Sequence, residues 1–428
     1  MTIYYNLSEE YWADKCRRPY FPAVDLQNTV KHIIERVRTK GDSALLDFAF
    51  QFDGATIQQL KVTENEIENA TKQVSTALKD AIGVAINNIR IFHKTQQSDE
   101  IKTETTKGVI CWRRQVAIKN VGLYIPGGTA PLFSTLLMLA IPAQIAGCER
   151  IVLCTPPDKN GIIDPAILYT AGWLGITEIY KTGGAQAIAA MAYGTDTIKK
   201  VDKIFGPGNQ YVTKAKEIIQ QDGIAIDLPA GPSEVLVIAD EMADADFVAA
   251  DLLSQAEHGT DSQVVLLTTE SNIAEKVQKA LKDQIADLPR ASIAQKSLEG
   301  SFCLVLPTLE KCFDFSNRYA PEHLILALQN PERFVDRIVN AGSVFLGHYS
   351  CESAGDYASG TNHTLPTNGL SRSYSGVSLD SFVKKITFQH ISAEGLQNLG
   401  KTIEIMAEAE QLFAHKNAVS IRLKKLSV

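Results

Sequence analysis

The chain has 428 residues, 45% hydrophobic and 21% charged, with a net charge of -7. That length supplies more than one core, and the acidic balance argues against a nucleic-acid or anionic-membrane surface, both of which need clustered Lys and Arg. No apolar run reaches the ~18 residues that span a bilayer, and the acidic start MTIYYNLSEEYWADK has no apolar signal core, which argues against export.

In chain order, residues 1–20 are rich in Tyr and Trp and read as a docking arm. Helical patterns dominate from there to about residue 95. Within them Thr63, with Glu66 three positions later, has the form of a capping box opening a helix. From about residue 115 short β-branched runs alternate with helical stretches: VGLYIP, RIVLCTPP, ITEIYKTGG, DKIFGPG, EVLVIAD, QVVLLTT, FCLVLPT, HLILALQ and GSVFLG. Such alternation predicts βαβ units and a mostly parallel sheet. The runs are too many for one small sheet. The fold class expected is therefore α/β, with two Rossmann-like parallel-sheet domains that part near the PAGPS turn at 229–233. After GTNHTLP the chain reads as a small, mainly helical C-terminal tail.

The stretch DADFVAADLLSQAEHG reads as one helix, capped by Asp244 and ended by Gly259. Val248, Leu252 and Ala256 form its buried stripe, while Asp251, Gln255 and His258 share another face. The last turn is expected at the C-terminal edge of the sheet, where open α/β sheets bind ligands. Gln255 and His258 cannot hold a metal alone, because zinc takes four protein ligands, or three plus an open position.

Eight histidines exist. His32 and His93 lie in helical patterns and read as structural or solvated, and His348 and His390 as surface residues. The others sit beside acids: Glu322 with His323 in YAPEHLIL, Asp356 with His363 in SAGDYASGTNHTLP, Glu410 with His415 in AEAEQLFAHKNAV. Polar loops that carry acid, base and potential ligands concentrate function. The seven cysteines form no CxxC pair and read as reduced thiols of a cytoplasmic protein. Cys111, Cys148 and Cys154 invite a thiol mechanism, but a helix end and a β-run suit buried, inert thiols. GPGNQY at 206–211 carries two of the three glycines of a dinucleotide fingerprint, with no acid at the ribose spacing. A zinc hydrolase using Glu322 as its base is a competing reading.

Several blocks together resemble the histidinol dehydrogenase family. They are SQAEHGTDSQVVLLT, APEHLI, SAGDYASGTNHTLPT, VGLYIPGGTAPLFSTLLMLAIPAQIAGC, GGAQAIAA, DKIFGPGNQYVT, DLPAGPSEVLVIAD and AHKNAV. The resemblance runs from about residue 20 to 422, and the stretch 369–395 matches least and suggests no role. It implies oxidation of L-histidinol to L-histidine through the aldehyde, with two NAD, as the last step of histidine biosynthesis. It further implies one zinc held by Gln255, His258, Asp356 and His415, with His323 as the base and Glu322 activating water on the aldehyde. Ser233, His363 and Glu410 join His323 and the zinc ligands in touching substrate, and Tyr124, Gln186 and Asn209 contact NAD. The absence of an HExxH helix fits a metal that orients substrate.

On this resemblance residues 21–123 and 233–377 are expected to form the zinc and substrate domain and 124–232 the NAD domain. Residues 378–428 are then a helical tail that makes a dimer contact, in a homodimer whose tails reach each other's sites. Glu322 and His323 would point to opposite faces of a regular strand, so an irregular backbone is expected near Pro321. Glu410 and His415 lie about 140° apart around an ideal helix, so the helix is expected to end between them.

Overall fold

The computed structural model describes residues 1–18, 25–127, 131–229 and 231–427. Its strands are β1 (Thr2–Tyr5), β2 (Lys102–Thr106), β3 (Val109–Ala117), β4 (Asn120–Tyr124), β5 (Arg150–Thr155), β6 (Glu178–Lys181) and β7 (Lys203–Phe205). Then follow β8 (Ala225–Ile226), β9 (Glu234–Ala239), β10 (Gln263–Thr268), β11 (Phe302–Val305), β12 (His323–Ala327), β13 (Ser343–Leu346) and β14 (Val383–Ile391). Each of the nine expected runs is a strand. Their residues are buried on both faces of a sheet, so they appear in sequence as unbroken apolar runs.

Two parallel sheets result. One has the order β6-β5-β4-β7-β8 and the other β1-β11-β10-β9-β12-β13. Outward from β4 and from β9 the two sheets share one winding, in which the chain steps to one side and then returns to the other. That is the doubly wound, Rossmann-like pattern. Helices cover both faces of each sheet. Val121, Leu123 and Leu153 share a core with Ile82, Ile86 and Leu137 on one side of the five-stranded sheet, and Val152 and Cys154 with Val30, Ile33 and Ile188 on the other. The helices between residues 26 and 94 thus cover the five-stranded sheet. This differs from the expectation that 21–123 would group with 233–377, because their apolar stripes find β4 and β5.

Two expectations at the chain ends gain detail. The arm is not merely docked: β1 extends the six-stranded sheet by pairing with β11, and Trp12 is buried edge-on to Phe315. The tail is mainly helical, as expected, but it also holds a strand. β14 runs antiparallel along the full length of β3, and β2 completes a third sheet. Most of the nine residues of β14 are exposed, so no apolar alternation announces it. Phe382, just before β14, is fully buried and stacks on Phe205, which gives the unassigned stretch 369–395 a packing role. Two helices follow, Ala393–Ala409 and Phe413–Leu426, packed on each other. Among the described residues, no helix is long and apolar enough to cross a membrane.

Candidate active site

The six-stranded sheet delivers its polar side chains at the start of its strands. Ser233 immediately precedes β9, and His323, with Glu322 just before it, opens β12, its neighbour in the sheet. The helix Ala245–Ala256 is capped by Asp244, whose side chain accepts from Asp246 and Phe247 N–H, and it runs back antiparallel to β9. Its last turn, with Gln255 and then His258, therefore returns to the N-terminal edge of the sheet. This corrects the C-terminal edge expected from the sequence. A helix that follows a parallel strand must retrace it, and that reversal decides the matter.

The backbone irregularity sits at Ala320, whose φ of +56° turns the chain just before Pro321. Glu322 Oε2 then accepts from Glu234 N–H at 2.9 Å and lies 3.7 Å from His323 Nδ1. His323 Nδ1 also lies 3.3 Å from the Glu234 carbonyl. A carbonyl only accepts, so Nδ1 carries the proton in that pairing and Nε2 is the free base. Nε2 has no hydrogen-bond partner and stands 3.7 Å from Asp356 Oδ1. Asp356 comes from the helix Glu352–Tyr357, and Glu352 on the same helix brings Oε1 within 3.7 Å of His323 Nδ1. His323, Glu352 and Asp356 form a cluster whose ligand atoms all lie within 4.8 Å of one another.

Burial dominates the electrostatics. It pushes Asp356 up to about 7 and lifts Glu322 and Glu352 well above the ordinary carboxyl range. The same desolvation drives His323 down to about 3 and His363 to about 4. Protein packed around His258 lowers it too, although its side chain still reaches solvent at the mouth of the site. Gln255 is 1% exposed, and neither of its amide atoms has a partner. Such a group costs stability unless something occupies it. A buried amide oxygen, a neutral imidazole and a carboxylate suit a zinc ion, so the residues present fit that metal. His363 joins the two halves of the molecule: Nδ1 meets the Asp356 carbonyl at 2.9 Å and Nε2 the Thr135 hydroxyl at 3.1 Å.

Beyond Thr135 lies a cleft of about 800 Å³ at the C-terminal edge of the five-stranded sheet, lined by Tyr124, Gln186 and Asn209 among others. It opens where the winding reverses between β4 and β7, the place where such sheets bind dinucleotides. Gly206 has φ +130°, and a Cβ there would lie 2.0 Å from the Tyr124 carbonyl, so only glycine lets these two strand ends meet. Asn209 caps the helix Gln210–Gln221 by accepting from Tyr211 and Val212 N–H.

The family model described as histidinol dehydrogenase matches residues 16–423. The histidinol dehydrogenase of Bacteroides thetaiotaomicron is 55% identical, with 98% of each chain covered. That of Vibrio parahaemolyticus is 52% identical over 100% of this chain and 99% of its own. The crystal structure of histidinol dehydrogenase from Elizabethkingia anophelis is 59% identical, covers 100% of this chain and 99% of that one, and superposes with a TM-score of 0.98.

The chain belongs to the histidinol dehydrogenase family. As a histidinol dehydrogenase homologue it is an NAD-dependent oxidoreductase, and the hydrolase reading is set aside. Of the side chains expected at the family's site, Gln255, His258, Glu322, His323, Asp356 and His363 gather at one edge, with Ser233 beside them. Glu410 and His415 do not. Both are exposed on the tail, where the helix breaks between them as expected, with Gln411 at φ +60°.

Sequence reasoning missed Glu352, Glu234 and Lys216. Glu352 precedes Asp356 by four residues, the spacing that puts both on one helical face. The carboxylate of Glu234 is tied to Arg18 at 2.5 Å, in a pair that is almost wholly buried. Lys216 pairs with Asp227 beneath the cleft, and the pair holds Gly206 by both its carbonyl, at 3.0 Å, and its N–H, at 2.8 Å. Neither pairing had a local sequence signal. All seven cysteines are free; burial pushes Cys148 up to about 12 and Cys154 higher still, so both are inert as nucleophiles.

Proposed function

We propose that this protein is a zinc-dependent histidinol dehydrogenase that oxidises L-histidinol through L-histidinal to L-histidine with two NAD, the closing step of histidine biosynthesis in the cytoplasm. The observation that carries the reading is the facing of two edges across His363 and Thr135. On one side lies a buried cluster of acids and imidazoles with unpaired atoms, and on the other a cleft at a sheet's switch point. Gln255, His258 and Asp356 would hold the zinc, together with His415. A metal in that place supplies a template for the substrate's amine and imidazole, and NAD, seated along Tyr124, Gln186 and Asn209, supplies the hydride acceptor.

The chain's own residues then manage protons and orientation. His323 is neutral, and its free Nε2 takes the proton of the substrate hydroxyl. Glu322, raised by burial, is a stronger base than an exposed carboxylate and draws a proton from the water that attacks the aldehyde. Ser233, His363 and Glu410 line the substrate.

Glu410 and His415 serve the site of a second copy. The tail supports this: the helix Phe413–Leu426 buries no residue, and Met406, Leu412, Phe413 and Ile421 are exposed on the helix pair. An apolar surface of that kind marks a partner's place. NADH formation on adding L-histidinol, abolished by a chelator and restored by zinc, is the expected result. No NADH with histidinol would end the reading.

A further inference from the structure

The dinucleotide cleft contains a carboxylate that the fold does not use. Asp53 is the last residue of the helix Asp42–Asp53 and lines the cleft, and its Oδ2 is buried without a hydrogen-bond partner. Its position is unfavourable twice over. Negative charge at a helix C-terminus opposes the helix dipole, and a desolvated carboxyl oxygen without a donor costs stability. Burial accordingly raises its pKa to about 6. A group held at such cost is explained by a ligand that brings hydrogen-bond donors.

The direction of the cleft identifies the donors. One end, at Pro131, leads into the helix Phe133–Ala146, whose Thr135 meets His363. That end faces the reacting centre and must take the nicotinamide. Thr29, Ile33, Phe52 and Asp53 come from helices on the opposite face of the five-stranded sheet. That end takes the other half of the dinucleotide. Its wall includes Phe52, an aromatic left 50% exposed, beside the carboxylate. A ribose presents two adjacent hydroxyls, the complement of a carboxylate that lacks donors.

Charge sharpens the assignment. Asp53, Asp158 and Asp164 line the cleft, and no Lys or Arg does among the described residues. Residues 19–24 and 128–130 contain none in sequence. Lys159 is exposed and outside the lining. A 2′-phosphate would enter a field of carboxylates with no cation to meet it.

We propose that Asp53 receives the 2′- and 3′-hydroxyls of the adenosine ribose and is the residue by which this enzyme takes NAD and refuses NADP. The proposal rests on NAD being the cosubstrate, and it adds the residue that reads it. The missing acid of the fingerprint is thereby supplied from a helix some 70 residues before the first strand of the sheet, rather than from the end of its second strand.

The test compares wild type with Asp53→Asn and Asp53→Ser, using the zinc-loaded enzyme and L-histidinol. Loss of a charge-assisted pair should raise KM for NAD about ten- to hundred-fold. kcat and the KM for histidinol should hold, and the NAD:NADP ratio of kcat/KM should fall at least about tenfold. The thermal midpoint should hold or rise, because the variants remove an unpartnered carboxyl. An unchanged KM for NAD, an unchanged ratio, or an equal fall of kcat with both cosubstrates would overturn the assignment. Wild-type enzyme that makes no NADH at all would instead remove the reading beneath it.

Discussion

Glu322 and His323 are neighbours in the chain, and their side chains lie 3.7 Å apart at the mouth of one strand. Burial moves them in opposite directions, the carboxyl up and the imidazole down, which suits the separate tasks proposed for them. In the two-step oxidation proposed above, His323 would accept a proton in each half-reaction, whereas only the aldehyde step would need water activated. Glu322→Gln keeps the acceptor for Glu234 N–H but loses the base. It should slow aldehyde oxidation by about 10²-fold or more while sparing the first hydride step. Single-turnover yield should then stall near one NADH per site. His323→Ala should slow both steps by about 10²- to 10³-fold. An equal loss in both steps for Glu322→Gln would remove its separate role.

At the scale of elements, the proposed assembly turns on the tail. Its helix pair turns at Gln411 and leaves Glu410 and His415 in solvent, while His258 remains open at its own site. If the tail of one subunit closes the site of the other, His258→Ala and His415→Ala should complement. Unfolded together and refolded, about half of the dimers would be hybrids, each with one intact site, returning activity near a quarter of wild type. Hybrids that form but stay inactive would rule out the shared site. The elements also show what a sequence can disclose. β9, β10 and β12 are buried on both faces, so their pattern is a plain apolar run. β14 is exposed for most of its length and leaves no such pattern. Glu322, His323, Gln255, His258 and Asp356, proposed as the catalytic pair and metal ligands, stand out in the sequence because their motifs are local. The clamp of Lys216 and Asp227 on Gly206 was not, since a pairing across a loop has no period. The edge on which the site sits was misplaced for want of one step, the return of a helix along its strand.

For the whole molecule, the apolar cores on both faces of each sheet are built without the polar cluster's side chains, so chelated protein should keep a cooperative thermal transition. Its pH dependence should change. The carboxyl of Asp356, ordinarily near 3.8, stands at about 7 in the metal-free fold. Its contribution to stability is present in full below about 3.8 and is lost as pH rises through about 7. Metal-free wild type should therefore lose thermal midpoint relative to Asp356→Asn between about pH 4 and 7. His323 and His363, held at about 3 and 4, act in the opposite sense and are present in both proteins. Parallel curves for the two proteins would contradict the assignment. The pairing of β1 with β11 also bears on synthesis. β1 waits for a partner about 300 residues later, and β3 waits about 270 for β14. The five-stranded sheet, drawn from one unbroken span between 120 and 226, can close first. A nascent chain halted near residue 260 should then carry a protease-resistant cosubstrate half while the half that bears His323 does not yet exist.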